Sequence, residues 1–322
     1  MTSERLNLKI AERHEEPGNI LRLRLARADG APLPKSDAGA HLDLRLKDGS
    51  LDLWRQYSLC SDPAETGFYE IGVLLDPKTR GGSAAVHRLA RPGVVFEVEG
   101  PRNHFPLAET AEKTVLFGGG IGITPMLAMA RRLHALGRDF VLHYCTRSRA
   151  VTAFQEIIVD APWADRVVFH FDDQPTEQRL DLNRDLPAPS ATTHLYVCGP
   201  QGFMDWVISG AEAAGHLPAN VHREYFSADV DTSGEGFEVE ARRSGITVTV
   251  GPEDTIAKAL ARAGVKVEVK CEEGVCGTCV TDVLEGTPDH RDKFLTDDER
   301  EEGTMICACC SRSCSSKLVL DV

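Results

Sequence analysis

The chain has 322 residues, of which 42% are hydrophobic, so it can form two or three domains with buried cores. Its formal net charge of −13 argues against a nucleic-acid partner, because phosphate binding requires a basic surface. No apolar run is long enough to span a membrane, and no apolar secretion signal follows Met1. We therefore expect a cytoplasmic protein that binds neither nucleic acid nor membrane.

The first two segments predict different sheet types. Residues 1–105 alternate apolar and polar positions in 20–25 and 42–46, with glycine and proline turns between the runs, which predicts an antiparallel β-barrel. Residues 106–228 alternate strands and helices, which predicts an α/β domain with a parallel sheet. Its strands are expected at 114–117, 140–145, 167–171 and 194–198, and its first helix at 125–136.

The third segment, residues 237–322, follows a polar stretch, 229–236, that we interpret as a linker. Its sequence predicts strands at 237–240 and 246–250 and a helix that includes Ile256 and Leu260. The segment holds seventeen acidic and eleven basic residues, a formal charge of −6. We therefore expect its redox partner to present a basic face.

Seven of the ten cysteines lie between residues 271 and 314, which indicates metal ligation rather than disulfides in a reducing compartment. Cys271, Cys276 and Cys279 have the spacing C-x4-C-x2-C of a plant-type 2Fe–2S site, which requires one more distant cysteine. Structural zinc and a thioredoxin-like dithiol are the alternatives, and the spacing favours neither. Spacing leaves the fourth ligand open among Cys307, Cys309, Cys310 and Cys314.

Two further motifs indicate a dinucleotide site. The glycine run 118–122 joins a predicted strand to a helix, and it lets the backbone approach a pyrophosphate at the positive helix end. Thr124 is expected to cap this helix and Pro125 to be its first residue. The run is not G-x-G-x-x-G, and a glycine turn without a ligand is the alternative. Cys198-Gly199-Pro200 ends a later strand, so both motifs are expected to border one crevice.

Two motifs in the barrel segment indicate a flavin site. Arg55-Gln56-Tyr57-Ser58 offers a cation, a ring and a hydroxyl on one strand, and Arg80-Gly81-Gly82-Ser83 offers N–H groups and a hydroxyl to a phosphate. A surface arginine or a glycine turn would explain either motif alone.

Taken in chain order, these motifs resemble the phthalate dioxygenase reductase family, which includes vanillate demethylase reductases. The resemblance covers nearly the whole chain and rests on R-Q-Y-S-L-C, R-G-G-S, G-G-G-I-G-I-T-P-M, Y-C-T-R-S, H-R-E-Y-F and C-E-E-G-V-C-G-T-C. It implies an FMN-binding β-barrel, an NAD-binding α/β domain and a C-terminal 2Fe–2S domain with the α+β ferredoxin-like (β-grasp) fold.

The resemblance also implies site residues. It makes Ser58, Cys198, Glu224 and Phe226 the candidate catalytic residues and Cys309 the fourth cluster ligand, with Cys307 as the alternative. The residues that the resemblance assigns to FMN are Arg55, Gln56, Tyr57, Ser58, Arg80, Gly81, Gly82, Ser83 and Phe226. Those that it assigns to NADH are Gly119, Gly120, Thr124, Pro125, Arg147, Cys198, Gly199 and Pro200. Because no acid follows the strand 140–145 and Arg147 can bind a 2′-phosphate, NADPH is the alternative to NADH.

The expected function is electron transfer from NADH through FMN to the cluster, because FMN accepts a hydride and releases single electrons. The sequence has no Cys-x-His pair of a Rieske centre, so oxygen activation is expected on another protein. The resemblance implies a terminal Rieske oxygenase for an aromatic acid as the acceptor, and we expect the reductase to be a monomer. A haem-thiolate monooxygenase as acceptor and a non-catalytic redox carrier or sensor are the alternatives.

Overall fold

The computed structural model describes residues 5–77 and 81–322. The chain divides into two compact units, of which the first ends at Glu224 and the second spans Tyr225–Val322. The expected domain boundaries at 105/106 and 228/229 stay predictions.

The first unit begins with a six-stranded antiparallel sheet of order β4-β3-β6-β1-β2-β5. Its strands are β1 (Arg5–Glu16), β2 (Ile20–Arg27), β3 (Ala40–Asp48), β4 (Leu51–Ser58), β5 (Tyr69–Leu74) and β6 (Val95–Asn103), and helix α1 (Gly82–Leu89) lies between β5 and β6. A bridge between Leu59 and Ile71 joins the two edge strands. Alternation buries Leu21, Leu23 and Leu25 inside, as the period-two pattern predicted, and the antiparallel barrel is confirmed.

A five-stranded parallel sheet completes the first unit, with the order β11-β10-β7-β8-β9. Its strands are β7 (Lys113–Gly119), β8 (Asp139–Thr146), β9 (Val167–Phe171), β10 (Thr193–Cys198) and β11 (Val221–Glu224). Its helices are α2 (Ile123–Ala135), α3 (Gln155–Val159), α4 (Leu182–Asp185) and α5 (Gln201–Ala213). The chain leaves β7 toward β8 and later returns to place β10 on its other side, so a topological switch point lies between β7 and β10.

The start of α2 differs from the prediction. Gly122 precedes the helix, and the Thr124 hydroxyl donates a hydrogen bond to the Ile121 carbonyl at 3.1 Å instead of capping a free N–H. Pro125 is the third helical residue and not the first, as was expected. The expected Thr124 cap is wrong because a 3-10 turn over 120–122 runs directly into the helix and leaves no extended capping position.

The second unit has a five-stranded sheet of order β13-β12-β18-β14-β16, in which β12 and β18 are parallel. The strands of the whole second unit are β12 (Phe237–Ala241), β13 (Ile246–Val250), β14 (Val280–Glu285), β15 (Pro288–Asp289), β16 (Met305–Cys307), β17 (Arg312–Ser313) and β18 (Lys317–Leu320). Its helices are α6 (Ile256–Arg262) and α7 (Asp297–Glu302). Ile256 and Leu260 on α6 are fully buried in the core of this unit, which has the predicted α+β architecture.

The segment 229–236 has no helix or strand, but arginine side chains hold it within the second unit. Arg312 donates to the carbonyls of Thr232 at 2.6 Å and Glu235 at 2.8 Å, and Arg291 donates to the carbonyl of Ser233 at 2.6 Å. Composition predicted the lack of regular structure, but it did not predict that distant guanidinium groups pair with these carbonyls.

No helix in the described residues is both long enough and apolar enough to cross a membrane.

Candidate functional site

The two glycine-containing loops of the parallel sheet meet at the switch point. Cys198 at the end of β10 is the register partner of Gly118 on β7. A Cβ on Gly122 would lie 2.2 Å from the Cys198 carbonyl oxygen, and a Cβ on Gly199 would lie 2.9 Å from the Gly119 Cα. Gly122 and Gly199 are therefore required by the packing of one loop on the other.

Gly120 is a different case, because its φ of 54° is left-handed and no atom lies within 4 Å of an added Cβ. This glycine turns the chain at an open position in front of α2, a thirteen-residue helix. An open backbone turn at a positive helix end fits a dinucleotide pyrophosphate. Pro200 directly precedes α5 on the neighbouring strand's side of the same crevice.

Ser58, Cys198 and Glu224 come together from three strands. Ser58 ends β4 in the barrel, and its hydroxyl donates to the Glu224 carboxylate at 3.0 Å across 166 residues of sequence. Glu224 ends β11 and is the register partner of Cys198. The barrel and the parallel sheet thus contribute side chains to one cluster at the carboxyl end of the sheet.

Burial sets the protonation of this cluster. It raises the pKa of Glu224 to about 8, against the opposing hydrogen bond from Ser58. It also raises the pKa of the Cys198 thiol, and the nearby Glu224 charge adds to that effect. Both groups are therefore mainly neutral at pH 7, which is typical of residues that handle protons in a site.

The two predicted flavin motifs also meet in the barrel. A Cβ on Gly82 would lie 2.7 Å from the Arg55 Nε, so the guanidinium lies against the N-terminus of α1, where Gly81 has a φ of 96°. A cation beside a helix N-terminus fits a phosphate group. Burial raises the pKa of Tyr57, whose ring packs against the barrel core.

Gln56, Ser83 and Arg80 are three further residues that were predicted to bind FMN. The Gln56 amide donates to Asp43 at 2.8 Å and contacts His41, so its side chain is held by the protein. The Ser83 hydroxyl accepts from the Asp76 N–H at 3.2 Å. Arg80 lies outside the described residues.

Arg147, which is predicted to contact the nucleotide, is exposed in the turn after β8. The chain that follows β9 lies beside this turn, because the Asp172 and Asp173 N–H groups donate to the carbonyls of Thr146 and Arg147, each at 3.1 Å. Acids that could bind a ribose therefore follow the neighbouring strand β9 and not β8, as the parallel pairing of these strands allows.

The second unit brings six thiols together. The Cys309 thiol contacts those of Cys271, Cys279 and Cys310, the Cys271 thiol also contacts that of Cys276, and Cys279 also contacts Cys307. Cys271, Cys276, Cys279, Cys307 and Cys309 are all buried, whereas Cys314 is exposed.

Backbone donors surround these sulfurs. The Glu273 N–H donates to the Cys271 sulfur at 3.4 Å. The thiols of Cys276 and Cys309, together with backbone N–H groups, hold the pKa of Cys271 well below its usual value. Clustered sulfurs with N–H donors fit an anionic iron–sulfur cluster.

Gly274 and Gly277 are required by this loop, because both have φ near 70° (67° and 69°). A Cβ on Gly277 would lie 2.1 Å from the Phe294 ring, and one on Gly274 would lie 2.6 Å from the Cys310 sulfur. Both the left-handed backbone and the packing of neighbouring side chains therefore require glycine at these positions. Phe226 belongs to the second unit and is 37% exposed.

Comparisons with known proteins agree with this division. Residues 239–314 match the family model of the 2Fe-2S iron-sulfur cluster binding domain. A vanillate O-demethylase oxidoreductase from Pseudomonas sp. (strain HR199 / DSM 7063) is 47% identical over 306 residues, which cover 94% of this chain and 96% of that relative.

Two solved structures resemble the chain along its length. Phthalate dioxygenase reductase, a modular structure for electron transfer from pyridine nucleotides to [2Fe–2S], is 39% identical with a TM-score of 0.74 and covers 99% of this chain and 98% of its own. An intact type IV self-sufficient cytochrome P450 monooxygenase is 36% identical with a TM-score of 0.84, and the match covers 99% of this chain and 41% of that chain.

These relatives are oxidoreductases, which decides against a non-catalytic carrier or sensor. The chain belongs to the phthalate dioxygenase reductase family, whose members include vanillate O-demethylase oxidoreductases and which supplies the reductase components of oxygenase systems.

Proposed function

We propose that this chain is the NADH-dependent reductase of a Rieske-type oxygenase that acts on an aromatic acid, with one FMN and one 2Fe–2S cluster. The observation that carries this proposal is the junction of Ser58, Cys198 and Glu224, where a barrel strand meets the carboxyl end of the parallel sheet. Ligands of open α/β sheets bind in the crevice at such a switch point, so a nicotinamide bound there would reach a group held by the barrel.

Arg55 and the turn at Gly81, Gly82 and Ser83 would hold the FMN phosphate, with Tyr57 and Ser58 along the ring. The support is the approach of the Arg55 guanidinium to Gly82, which brings a cation and a helix N-terminus to one point. When bound, FMN supplies the ability to accept two electrons as a hydride and to release them singly. The expected role of Phe226 at the flavin ring stays a prediction.

The neutral state of Glu224 and Cys198 has a chemical role in this proposal. A protonated carboxyl and a protonated thiol add no negative charge where a hydride passes between rings. The Ser58 hydroxyl is oriented by the Glu224 carboxyl and can exchange a proton with it. Glu224 thus holds a proton inside the site, and Ser58 would lie between Glu224 and a bound flavin.

NADH is the proposed donor, and NADPH is the second candidate. Asp172 and Asp173 lie beside the turn that carries Arg147, so carboxylates are available for a ribose 2′-hydroxyl. Arg147 is exposed and can meet a 2′-phosphate. We propose that Gly119, Gly120, Thr124 and Pro125 border the pyrophosphate and that Cys198, Gly199 and Pro200 border the nicotinamide.

Cys271, Cys276, Cys279 and Cys309 are the proposed cluster ligands. Cys309 is favoured over Cys307 because its thiol contacts both Cys271 and Cys279, whereas Cys307 contacts Cys279 alone among these ligands. Cys279 directly precedes strand β14, which fixes the end of the cluster loop on the sheet. We further propose that the reductase is a monomer in the cytoplasm, where a reducing milieu keeps these thiols free for iron.

A Rieske oxygenase is favoured as the acceptor because the relatives that match over their whole length include demethylase and dioxygenase reductases. A haem-thiolate monooxygenase is the second candidate, because the self-sufficient P450 chain contains a similar segment.

The experiment that tests the proposal is reconstitution. The purified reductase is mixed anaerobically with a Rieske oxygenase encoded beside it or with a haem-thiolate protein, and acceptor reduction by NADH is followed at equal concentrations. We expect rapid reduction of the Rieske centre. Faster reduction of the haem protein would assign the second candidate, and failure to reduce either, with cytochrome c still reduced, would reject both acceptors.

A further inference from the structure

Two buried histidines and a carboxylate meet on the parallel sheet away from the switch point. His143 on β8, His170 on β9 and Asp185 at the end of α4 place one ligating atom each within 4.8 Å of one another. The His143 Nδ1 and the His170 Nε2 are 2.9 Å apart, and each histidine is only 4% exposed. The electron-transfer chemistry proposed above uses none of these three residues.

The parallel register explains why the imidazoles meet. Cys145 on β8 is the register partner of His170 on β9, and His143 lies two residues before Cys145, so both histidines project from one face of the sheet. The opposite face carries Leu142 and Tyr144, which pack into the core with α2. Asp185 reaches the histidine face from α4, which packs against α5.

The Asp185 carboxylate leaves room for a ligand. Its Oδ1 accepts from the Arg184 Nε at 2.8 Å and retains a second lone pair, whereas its Oδ2 accepts from both Arg184 at 2.7 Å and the Asp181 N–H at 2.9 Å.

A second histidine pair in the same sheet provides the contrast. The His194 Nδ1 and the His222 Nε2 are 2.8 Å apart, on β10 and β11. No acidic residue joins His194 and His222 in a comparable group of ligating atoms among the described residues. Two pairs of like spacing therefore differ in the presence of an acid.

We propose that His143, His170 and Asp185 form a site for a divalent transition-metal ion of the zinc type, distinct from the iron–sulfur cluster. Two nitrogens bound to zinc at about 2.0–2.1 Å with a tetrahedral angle lie about 3.4 Å apart, so the observed pair opens by about 0.5 Å to accept the ion. Two imidazoles and one carboxylate are a ligand set that zinc takes in proteins, with water in the fourth position.

The test uses the complete reductase with flavin and cluster bound, so that the cluster thiols are occupied. Protein is dialysed against zinc ion at a series of buffered free concentrations, and zinc and iron per chain are measured together by mass spectrometry. We expect one saturable zinc per chain at unchanged iron. Asp185→Asn, at a partly exposed position outside the sheet, is expected to weaken zinc binding about tenfold or more.

His143→Gln is expected to abolish the binding, whereas the matched variant His222→Gln, which alters the pair without an acid, should bind zinc as the wild type does. Zinc should also raise the unfolding temperature of the wild type but not that of Asp185→Asn. Absence of saturable zinc in the wild type, equal affinity in Asp185→Asn, or equal loss in His222→Gln would overturn the proposal and leave His143 and His170 as a hydrogen-bonded core pair.

Discussion

Glu224 offers a direct test of the buried junction in the first unit. Burial raises the pKa of its carboxyl to about 8, whereas the ordinary value is 4.5. At pH 7 a carboxyl with a pKa of about 8 is about nine-tenths protonated, and one with the ordinary value is almost fully ionised. Glu224→Gln replaces the neutral acid by a neutral amide of nearly the same shape, so it removes the titration and retains the packing.

The direction of the pH effect on stability follows from the linkage between proton binding and folding. Because the folded pKa lies above the unfolded one, the contribution of Glu224 to stability is fully present below about pH 4.5 and is lost as the pH rises through about 8. The difference of about 3.5 between the folded and unfolded pKa values sets an upper limit of about 5 kcal/mol on this contribution to the free energy of unfolding. The residue is partly accessible, so solvent screening reduces the expected effect to about 2–3 kcal/mol.

Urea unfolding followed by tryptophan fluorescence measures this effect in the intact chain. All three tryptophans, Trp54, Trp163 and Trp206, lie in the first unit, so the signal reports on the unit that contains Glu224. Between pH 5 and pH 9 the stability of Glu224→Gln relative to the wild type should rise by about 2–3 kcal/mol.

Two hydroxyl variants serve as controls. Ser58→Ala removes the hydrogen bond that lowers the pKa of Glu224 and should move the transition to higher pH, whereas Ser58→Thr should leave it in place. Parallel pH profiles for the wild type and Glu224→Gln would refute the assignment of a neutral, buried carboxyl at this position.

Three further predictions concern the cluster, the nucleotide and the partner. Cys309→Ser should lose the native EPR signal of the reduced cluster and most of its iron. Cys310→Ser, which alters the neighbouring thiol, should keep both. Loss of the signal in Cys307→Ser with retention in Cys309→Ser would reassign the fourth ligand to Cys307. NADH should reduce the flavin with a higher second-order rate constant than NADPH, and Arg147→Ala should lower the NADPH rate several-fold and change the NADH rate little; an equal or faster wild-type rate with NADPH rejects the NADH assignment. Because residues 237–322 carry a formal charge of −6, electron transfer to the cognate oxygenase should slow as ionic strength rises, and a rate that is flat or increases with salt would contradict electrostatic docking.

Local periodicity was sufficient to predict eight of the eighteen strands in the described residues. The predicted strand 167–171 matches β9 at both ends, and the predicted strands 20–25 and 42–46 lie within β2 and β3. These runs are predictable because a strand with one buried face must alternate apolar and polar residues. The cysteine spacing likewise identified a cluster loop, because the sulfurs must converge within a few residues.

Local sequence patterns could not predict the contacts between residues that are far apart in the chain. The hydrogen bond between Ser58 and Glu224 joins strands from two sheets, and no spacing rule relates residues 166 positions apart. The Arg312 guanidinium pairs with carbonyls about eighty residues earlier, where composition alone predicted a linker. The expected Thr124 cap was wrong because a preceding 3-10 turn, which depends on tertiary packing at Gly122, took over the helix start.

Anaerobic reduction by NADH under single-turnover conditions tests the central claim, that electrons pass from NADH through the flavin to the 2Fe–2S cluster. Flavin absorbance is followed by stopped flow, and the reduced cluster is quantified by EPR in samples frozen at matching times. We predict that flavin bleaching precedes the cluster signal and that flavin-free protein yields no reduced cluster with NADH. Equal cluster reduction in flavin-free protein, or complete flavin reduction with no cluster signal, would contradict the proposed electron path.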